Sequence, residues 1–216
     1  MTFLQALEPP FKRIYINFDG VPNGSLPAGW TSVVVSGTAG PEVFSNYIRA
    51  APTNSNNTNS QSYAGYVADS VNTDDQALQA TTRTALNGLL CGVCIKMDAA
   101  MQNGVVGLTS TGNARGLYTI TNGLFTRRAT FNVSHAIGDV WAIKSEGNVY
   151  TMMKNPSFNN VGGDVTTWTD TTGVVKHGPN YRHGALYANS DRNAFGTRNV
   201  AAGLDNFDFR DLGWTV

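Results

Sequence analysis

Charge is scarce in this sequence. Only 14% of the 216 residues are Asp, Glu, Lys or Arg, and 15 basic side chains balance 15 acidic ones to a formal net charge of zero. A chain with no excess positive charge has no field to attract nucleic acid phosphates or an anionic membrane surface. We therefore expect no nucleic acid among its partners.

Long apolar runs are also missing. No stretch approaches the roughly 20 apolar residues that a transmembrane helix needs. Residues 1–15 lack the order of charged, apolar and small-residue regions that marks a signal peptide. The sequence predicts a protein that is not inserted into a membrane and is not exported by the signal-peptide route.

Cysteine is limited to Cys91 and Cys94, which lie three apart in the apolar run 89–97. On a strand this spacing sends the two side chains to opposite faces, so we expect no disulfide between them. A C-x-x-C pair can also indicate a zinc or redox site, but there is no second pair and no βαβ context. The pattern favours two ordinary sheet cysteines.

Helix signals are lacking too. The chain has three Glu against twelve Asp, together with 23 Gly and many Asn, Thr and Ser. No window of useful length keeps apolar residues at three-and-four spacing, whereas strand-like segments recur about every ten residues between turn residues. We predict an all-β protein, a two-sheet antiparallel sandwich or jelly roll, in one domain over residues 14–216.

Two alternating segments define the ends of this domain. Residues 14–19 place Ile14, Ile16 and Phe18 on one face, and residues 204–212 do the same with Phe207 and Phe209. We expect these first and last strands to be neighbours. Between them, residues 138–154 predict a hairpin whose two-residue turn is Gly147-Asn148.

Two further segments leave alternatives open. Residues 1–13 are apolar and are set apart by Pro9-Pro10, so they form either an N-terminal arm that binds another subunit or a flap packed on the sheet. Residues 50–62 are uncharged and rich in Asn, Ser and Thr. A loop of this length is either a mobile surface loop or a recognition loop.

Three motifs follow one another along the chain: Asn17-Phe18-Asp19-Gly20 with residues 24–30, Gly138-Asp139-Val140-Trp141 with Gly147-Asn148 and Asn155, and residues 204–212. Their order and spacing resemble the concanavalin A-like lectin/glucanase jelly roll, in the variant found in actinobacteriophage minor tail and other virion proteins. The resemblance implies two curved antiparallel sheets, with the N- and C-terminal strands adjacent in one of them.

The same resemblance implies a structural calcium ion, which members of the superfamily often hold where the first and last strands meet. Asp19 and Asp205 are the corresponding candidate ligands, since carboxylate oxygens suit a hard cation. The alternative is that Asp19 caps its Asp-Gly turn and that Asp205 bounds its strand.

Catalysis lacks its usual signature. The related glucanases carry an E-x-D-x-x-E strand, because retaining hydrolysis needs two carboxyl groups about 5 Å apart. The three Glu of this chain, Glu8, Glu42 and Glu146, are scattered. We expect no enzyme, although an Asp pair brought together by the fold stays an alternative.

Sugar binding is the remaining chemistry. It uses an aromatic ring that stacks on the sugar and polar groups that bind its hydroxyls, in a concave, mostly pre-formed site. The candidate residues are Tyr150, Trp168, Asn180, Tyr181, Arg182, Tyr187 and Asp191. The alternative for the aromatic ones is a place in the core or on a sheet face.

The resemblance, together with the missing catalytic signature, implies a non-catalytic phage virion protein, made in the host cytoplasm and carried on the particle surface. As a minor tail or receptor-binding protein it would attach to host-surface glycans, and as a capsid-decoration protein it would need only contacts with other virion proteins. We expect a homo-oligomer. The competing hypothesis is a glycoside hydrolase or lyase of the same fold.

Overall fold

The computed structural model describes residues 11–85, 87–157 and 162–212. These residues form sixteen strands and one turn of 3₁₀-helix, Pro179–Tyr181. The strands are β1 (Arg13–Ile16), β2 (Trp30–Ser36), β3 (Pro41–Phe44), β4 (Tyr47–Ala50), β5 (Thr58–Tyr66), β6 (Gln76–Thr82), β7 (Cys91–Met97), β8 (Gly104–Thr109), β9 (Gly116–Thr121), β10 (Leu124–Thr130), β11 (Val140–Glu146), β12 (Val149–Lys154), β13 (Asp164–Thr169), β14 (His183–Arg192), β15 (Arg198–Val200) and β16 (Leu204–Asp211).

The strands form two antiparallel sheets packed face to face. Sheet A has the order β13-β12-β11-β6-β16-β4-β3, and β1 pairs with β16. Sheet B has the order β10-β9-β8-β7-β14-β5-β2, and β15 pairs with the end of β14. The predicted all-β, two-sheet antiparallel sandwich is confirmed. Among the described residues there is no helix long and apolar enough to cross a membrane.

The first and last strands are neighbours, as predicted. Ile14 lies opposite Phe209 and Ile16 opposite Phe207. Both phenylalanines are fully buried, and Phe207 packs edge-on against Trp30 at a centroid distance of 5.0 Å. The strand β16 also pairs with β6, so the end of the described chain is held inside the sheet.

The predicted hairpin is also confirmed, with Glu146 opposite Val149 and Ile143 opposite Met152. The polar stretch 50–62 differs from the prediction, because β5 begins at Thr58 and leaves only 51–57 as a loop. Ser60 can be buried in the sheet because its hydroxyl oxygen accepts hydrogen bonds from the amides of Thr38 and Ala39. Arg13, which the sequence placed in the arm, begins β1, and residues 1–10 lie outside the described residues.

The apolar side chains form two clusters. The larger one fills the space between the sheets, and the smaller one lies on the outer face of sheet B, the face turned away from sheet A. Cys91 belongs to the first cluster and Cys94 to the second, and both are free thiols. The prediction of two unpaired cysteines on opposite faces is confirmed.

Candidate functional site

The outer face of sheet B is strongly concave. Phe125 on β10 and Tyr63 on β5 are five strands apart, which in a flat sheet corresponds to about 24 Å, because neighbouring strands lie about 4.8 Å apart. Their ring centroids are only 6.3 Å apart, with the rings stacked within 5°. Sheet B must therefore curl until β10 lies over β14 and β5.

The curl gathers four aromatic side chains. Tyr187 packs 5.3 Å from Tyr63 and 5.6 Å from Phe125, and Phe125 packs 6.3 Å from Tyr118. Tyr63 and Tyr187 are buried at the bottom, whereas Tyr118 and Phe125 are partly exposed. Three of the four border a depression of about 170 Å³, the aromatic depression, which is lined by Gln61, Leu90, Leu108, Tyr118, Phe125 and Tyr187.

The loop between β7 and β8 closes one end of this concave face. Met101 is fully buried against Gly65, where a Cβ atom would lie 2.4 Å from its methyl carbon. Asp98 fixes the loop by accepting hydrogen bonds from the Gln102 amide at 2.8 Å and the Asn103 side chain at 2.7 Å. Because Gly65 lies beside Ala185, the closed end is at the start of β14.

A second depression, the polar depression, lies at the other end of β14. It measures about 390 Å³ and is lined by Asn87, Gly88, Leu89, Asp191 and Asn199. The side chain of Asn199 donates a hydrogen bond to Asp191 Oδ1 at 2.7 Å. Asn87 is held by a bond from its Nδ2 to the Val200 carbonyl at 2.8 Å. Amide and carboxylate groups thus stand fixed on the rim.

The strand β14 joins the two depressions. Every second side chain of β14 lies on the outer face, and these include Tyr187, Asn189 and Asp191. From Tyr187 in the first depression to Asp191 in the second, the strand extends over roughly 13 Å. Asn189 is 3% exposed, lies opposite Gln61 and leaves its Oδ1 without a hydrogen bond. We call the concave surface with both depressions the β14 trough.

The trough is nearly free of charge. Asp191 is the single carboxylate in the strands of sheet B. On the outer face of these strands the basic side chain is that of Arg127, which lies on β10 opposite Tyr118. Burial raises the pKa of Tyr187, an effect that a hydrogen bond from Asn189 partly offsets, and burial also raises the pKa of Tyr63. Both phenols are therefore neutral, and the trough presents ring faces, hydroxyls and amides.

Of the residues predicted from the sequence to bind sugar, the structure brings Tyr187 and Asp191 together in the trough. Tyr150 and Trp168 lie elsewhere, on β12 and β13 of sheet A. Tyr150 is fully buried in the core, where its ring stacks on Trp168 at 5.4 Å. These two residues correspond to the core alternative, because their side chains fill the space between the sheets.

Asn180, Tyr181 and Arg182 lie just before β14, nine or more residues from Asp191. Arg182 Nε donates to Asp74 Oδ1 at 3.2 Å, and its Nη1 donates to the Asn72 carbonyl. This arginine therefore ties two loops together and is not presented in the trough.

The same loops enclose a buried lysine. Lys96 Nζ donates to the carbonyl of Asp74 and lies 3.3 Å from His177 Nδ1 and 3.9 Å from Asp74 Oδ1. Its side chain has no exposed surface, and burial lowers the pKa of Lys96 to about 8. A cation enclosed in this way holds loops together and is not available to a ligand.

Sequence reasoning missed most of the trough. The missed residues are Gln61, Tyr63, Asn87, Tyr118, Phe125, Asn189 and Asn199. Alternation can place Phe125 on one face of a strand, but it carries no local signal that this face curls onto a strand five positions away in the sheet.

Calcium binding by Asp19 and Asp205 stays a prediction, and the structure gives these two carboxylates different surroundings. Asp205 has no exposed surface, and its Oδ2 accepts hydrogen bonds from Arg83 Nε at 2.8 Å and Nη2 at 2.5 Å. Its Oδ1 accepts the Phe18 amide at 3.3 Å, while Asp19 is exposed. Within the described ranges no cluster of three or more His, Cys, Asp or Glu residues is placed to hold a metal. The guanidinium of Arg83 supplies the positive charge here.

Searches by sequence find no protein family and no curated protein that matches the chain. Solved structures do match. The metal-free VIP36 exoplasmic/lumenal domain has a TM-score of 0.57 at 12% identity, covering 96% of this chain and 95% of that one. The Bacillus licheniformis β-glucanase has a TM-score of 0.56 at 10% identity, covering 91% and 97%.

Carbohydrate binding module CBM66 from Bacillus subtilis has a TM-score of 0.51 at 14% identity, covering 83% of this chain and 94% of that one. The VIP36 domain has also been solved in a form with Ca²⁺ and mannose bound. The fold of this chain is therefore the concanavalin A-like jelly roll of lectins and glucanases. At sequence identities of 10–14% this similarity defines the fold, and the activity has to be inferred from the residues of the site.

Proposed function

We propose that the chain is a non-catalytic carbohydrate-binding protein whose β14 trough holds a glycan. The observation that carries this proposal is the curl of sheet B, which places Phe125 over Tyr63 and Tyr187 and makes the outer face concave. Sugar rings have apolar faces and hydroxyl edges. A mostly apolar hollow with a few fixed polar groups complements both.

The polar groups suit hydroxyls. Asn87, Asp191 and Asn199 stand on the rim of the polar depression, and Gln61 lines the aromatic depression. Asn189 lies between them with its Oδ1 unbonded and buried, a state that costs about 1–3 kcal/mol until a donor arrives. A glycan hydroxyl is such a donor. The neutrality of the face favours an uncharged sugar.

The non-catalytic assignment rests on the carboxylates. Retaining and inverting glycosidases both use a pair of carboxyl groups, about 5–9.5 Å apart, on either side of the scissile bond. The strands of sheet B offer Asp191 alone. The competing hypothesis, a glycoside hydrolase or lyase of this fold, predicts reducing ends released from a polysaccharide and lost in D191N.

We further propose that glycan binding attaches a phage particle to its host, with the chain as a homo-oligomeric tail or surface protein docked on other virion proteins. The motif resemblance and the trough support a tail position over a capsid-decoration role. Mass spectrometry and immunogold labelling of purified particles test it. Absence of the chain from the particles would contradict the virion role and leave the sugar-binding proposal standing.

Affinity electrophoresis through gels that contain barley β-glucan or yeast α-mannan, followed by a glycan array, tests the binding itself. We expect retardation of the wild type and loss of binding in F125A, because the variant gives up about 80 Å² of apolar contact, or about 2 kcal/mol and a roughly 30-fold weaker affinity.

The matched control is L124A. Leu124 neighbours Phe125 on β10 and is 73% exposed, but its side chain points away from the trough. Thermal unfolding of both variants separates loss of contact from loss of fold. Equal retardation of F125A, L124A and wild type would place the glycan elsewhere.

A further inference from the structure

The hairpin of β14 and β15 extends beyond the polar depression and ends in a tightly held turn. Asn193 Oδ1 accepts hydrogen bonds from the amides of Phe195 at 3.0 Å and Thr197 at 2.9 Å. The amide of Gly196 donates to the Asn193 carbonyl at 3.1 Å. The turn 193–197 is thus fixed by its own hydrogen bonds.

Two arginines brace the hairpin against the loop 51–57. Arg198 Nη2 donates to Asn54 Oδ1 at 3.0 Å, and Arg192 Nη1 donates to the Asn54 carbonyl. Arg192 Nε also donates to the Gly196 carbonyl at 3.2 Å. The loop for which the sequence left a recognition role open therefore supports a neighbouring tip.

The braced turn presents one side chain. Phe195 at the apex is 96% exposed, the most exposed of the large apolar residues described. A ring that buries so little surface adds almost nothing to folding, yet Asn193 holds the amide of Phe195 and Arg192 holds the carbonyl of Gly196 next to it. An exposed aromatic ring on a pre-organised loop binds with little loss of conformational entropy.

This tip continues the β14 trough. Asp191 and Asn199, which line the polar depression, face each other across the same hairpin. Phe195 lies four residues from each of them, at most about 14 Å of chain. A chain of sugars that runs along β14 and leaves the polar depression at this hairpin therefore comes within reach of its tip.

We propose that Phe195 is a further binding subsite, which stacks on a sugar unit beyond the polar depression. The ligand class is then a linear polysaccharide bound along its length, in contrast to a terminal mono- or disaccharide. This inference rests on the proposed glycan-binding function of the β14 trough. It assigns a recognition role to a side chain that buries almost no surface in the fold.

Isothermal titration calorimetry with oligosaccharides of β-glucan and α-mannan, from disaccharide to octasaccharide, tests the inference. We expect wild-type affinity to increase with chain length, and F195A to bind the octasaccharide about tenfold more weakly while binding the disaccharide unchanged. F195W restores the gain with length. F195A keeps the wild-type unfolding temperature, because Phe195 packs against little. L124A is the exposed apolar control.

If F195A binds the octasaccharide as tightly as the wild type does while F125A no longer binds it, this inference is wrong and the proposed function stands. A change of sedimentation in F195A without a change of affinity also overturns it, because the tip then contacts protein. If the wild type binds neither series at any length, the proposed function fails, and this inference with it.

Discussion

Arg83 donates two hydrogen bonds to Oδ2 of Asp205, a carboxylate with no exposed surface. The pair fixes the start of β16, because Asp205 also accepts the amide of Phe18, just after β1. The contact therefore holds together the two strands that close the domain.

Removing the guanidinium leaves this carboxylate buried without its cation. We expect R83M to lower the free energy of unfolding by about 3 kcal/mol, the low end for a broken buried pair, because Arg83 itself is partly exposed. Urea denaturation measures the change, and R83M/D205N recovers part of it because the second substitution removes the charge. A loss below 0.5 kcal/mol in R83M would contradict this account of the pair.

The same contact predicts indifference to calcium. A metal that binds the native state at 100 times its Kd stabilises it by about 2.7 kcal/mol. We expect the thermal unfolding midpoint to be the same in millimolar Ca²⁺ and in EDTA, since Arg83 already neutralises Asp205. If calcium raises the unfolding midpoint and D205N abolishes this rise, then the metal displaces Arg83 from Asp205, and the prediction is wrong.

The strands were readable from the sequence because alternation is local. Apolar residues recur at every second position in both end strands, at Ile14 and Ile16 and at Phe207 and Phe209. Such a pattern predicts a strand with one buried face. The hairpin at Gly147-Asn148 was readable for the same reason, since a two-residue turn fixes its register.

The trough could not be predicted from the sequence, because it depends on whether each strand face is turned toward the core or toward the outside of the sheet. Tyr150 and Tyr187 both sit in apolar strands, yet Tyr150 faces the core and Tyr187 the outer cluster. Alternation cannot tell one face of a sheet from the other when both are apolar. The meeting of Phe125 with Tyr63 also needs the curl of six strands, a property of the whole sheet.

Asn189 offers a test that separates binding from folding. N189A removes an unpaired buried acceptor, which is stabilising, and also the hydrogen bond from Asn189 to Tyr187, which is destabilising. Because these two effects oppose each other, we expect the free energy of unfolding to change by less than about 1 kcal/mol. Glycan affinity should fall about fivefold to tenfold, because the hydroxyl loses its acceptor. Calorimetry and urea denaturation give the two numbers. Unchanged affinity in a folded N189A would remove Asn189 from the site.

The two thiols predict a clear chemical result. Cys91 and Cys94 are fully buried on opposite faces of β7, and burial raises the pKa of Cys91 to about 12. We expect no reaction with a thiol-specific disulfide reagent in the native protein and two thiols per chain in guanidinium chloride, even after exposure to air. Detection of an intramolecular disulfide by mass spectrometry would contradict the strand geometry of β7.

Lys96 predicts a pH dependence with a definite sign. Its pKa is about 8 in the folded protein against 10.5 in the unfolded chain. Between these values the unfolded chain keeps a proton that the folded protein has released, so this group makes the free energy of unfolding rise with pH. The rise amounts to about 3 kcal/mol, at 1.36 kcal/mol per pKa unit.

Cys91 acts in the opposite direction from about pH 9, because its pKa is higher in the folded protein than in the unfolded chain. The measurement is therefore a difference, the urea-unfolding free energy of wild type minus that of K96M, followed from pH 7 to pH 10.5. We expect the difference to increase with pH, since the thiol contribution is common to both proteins. A flat difference would mean that Lys96 stays protonated beside Asp74 throughout, and that its contacts outweigh its burial.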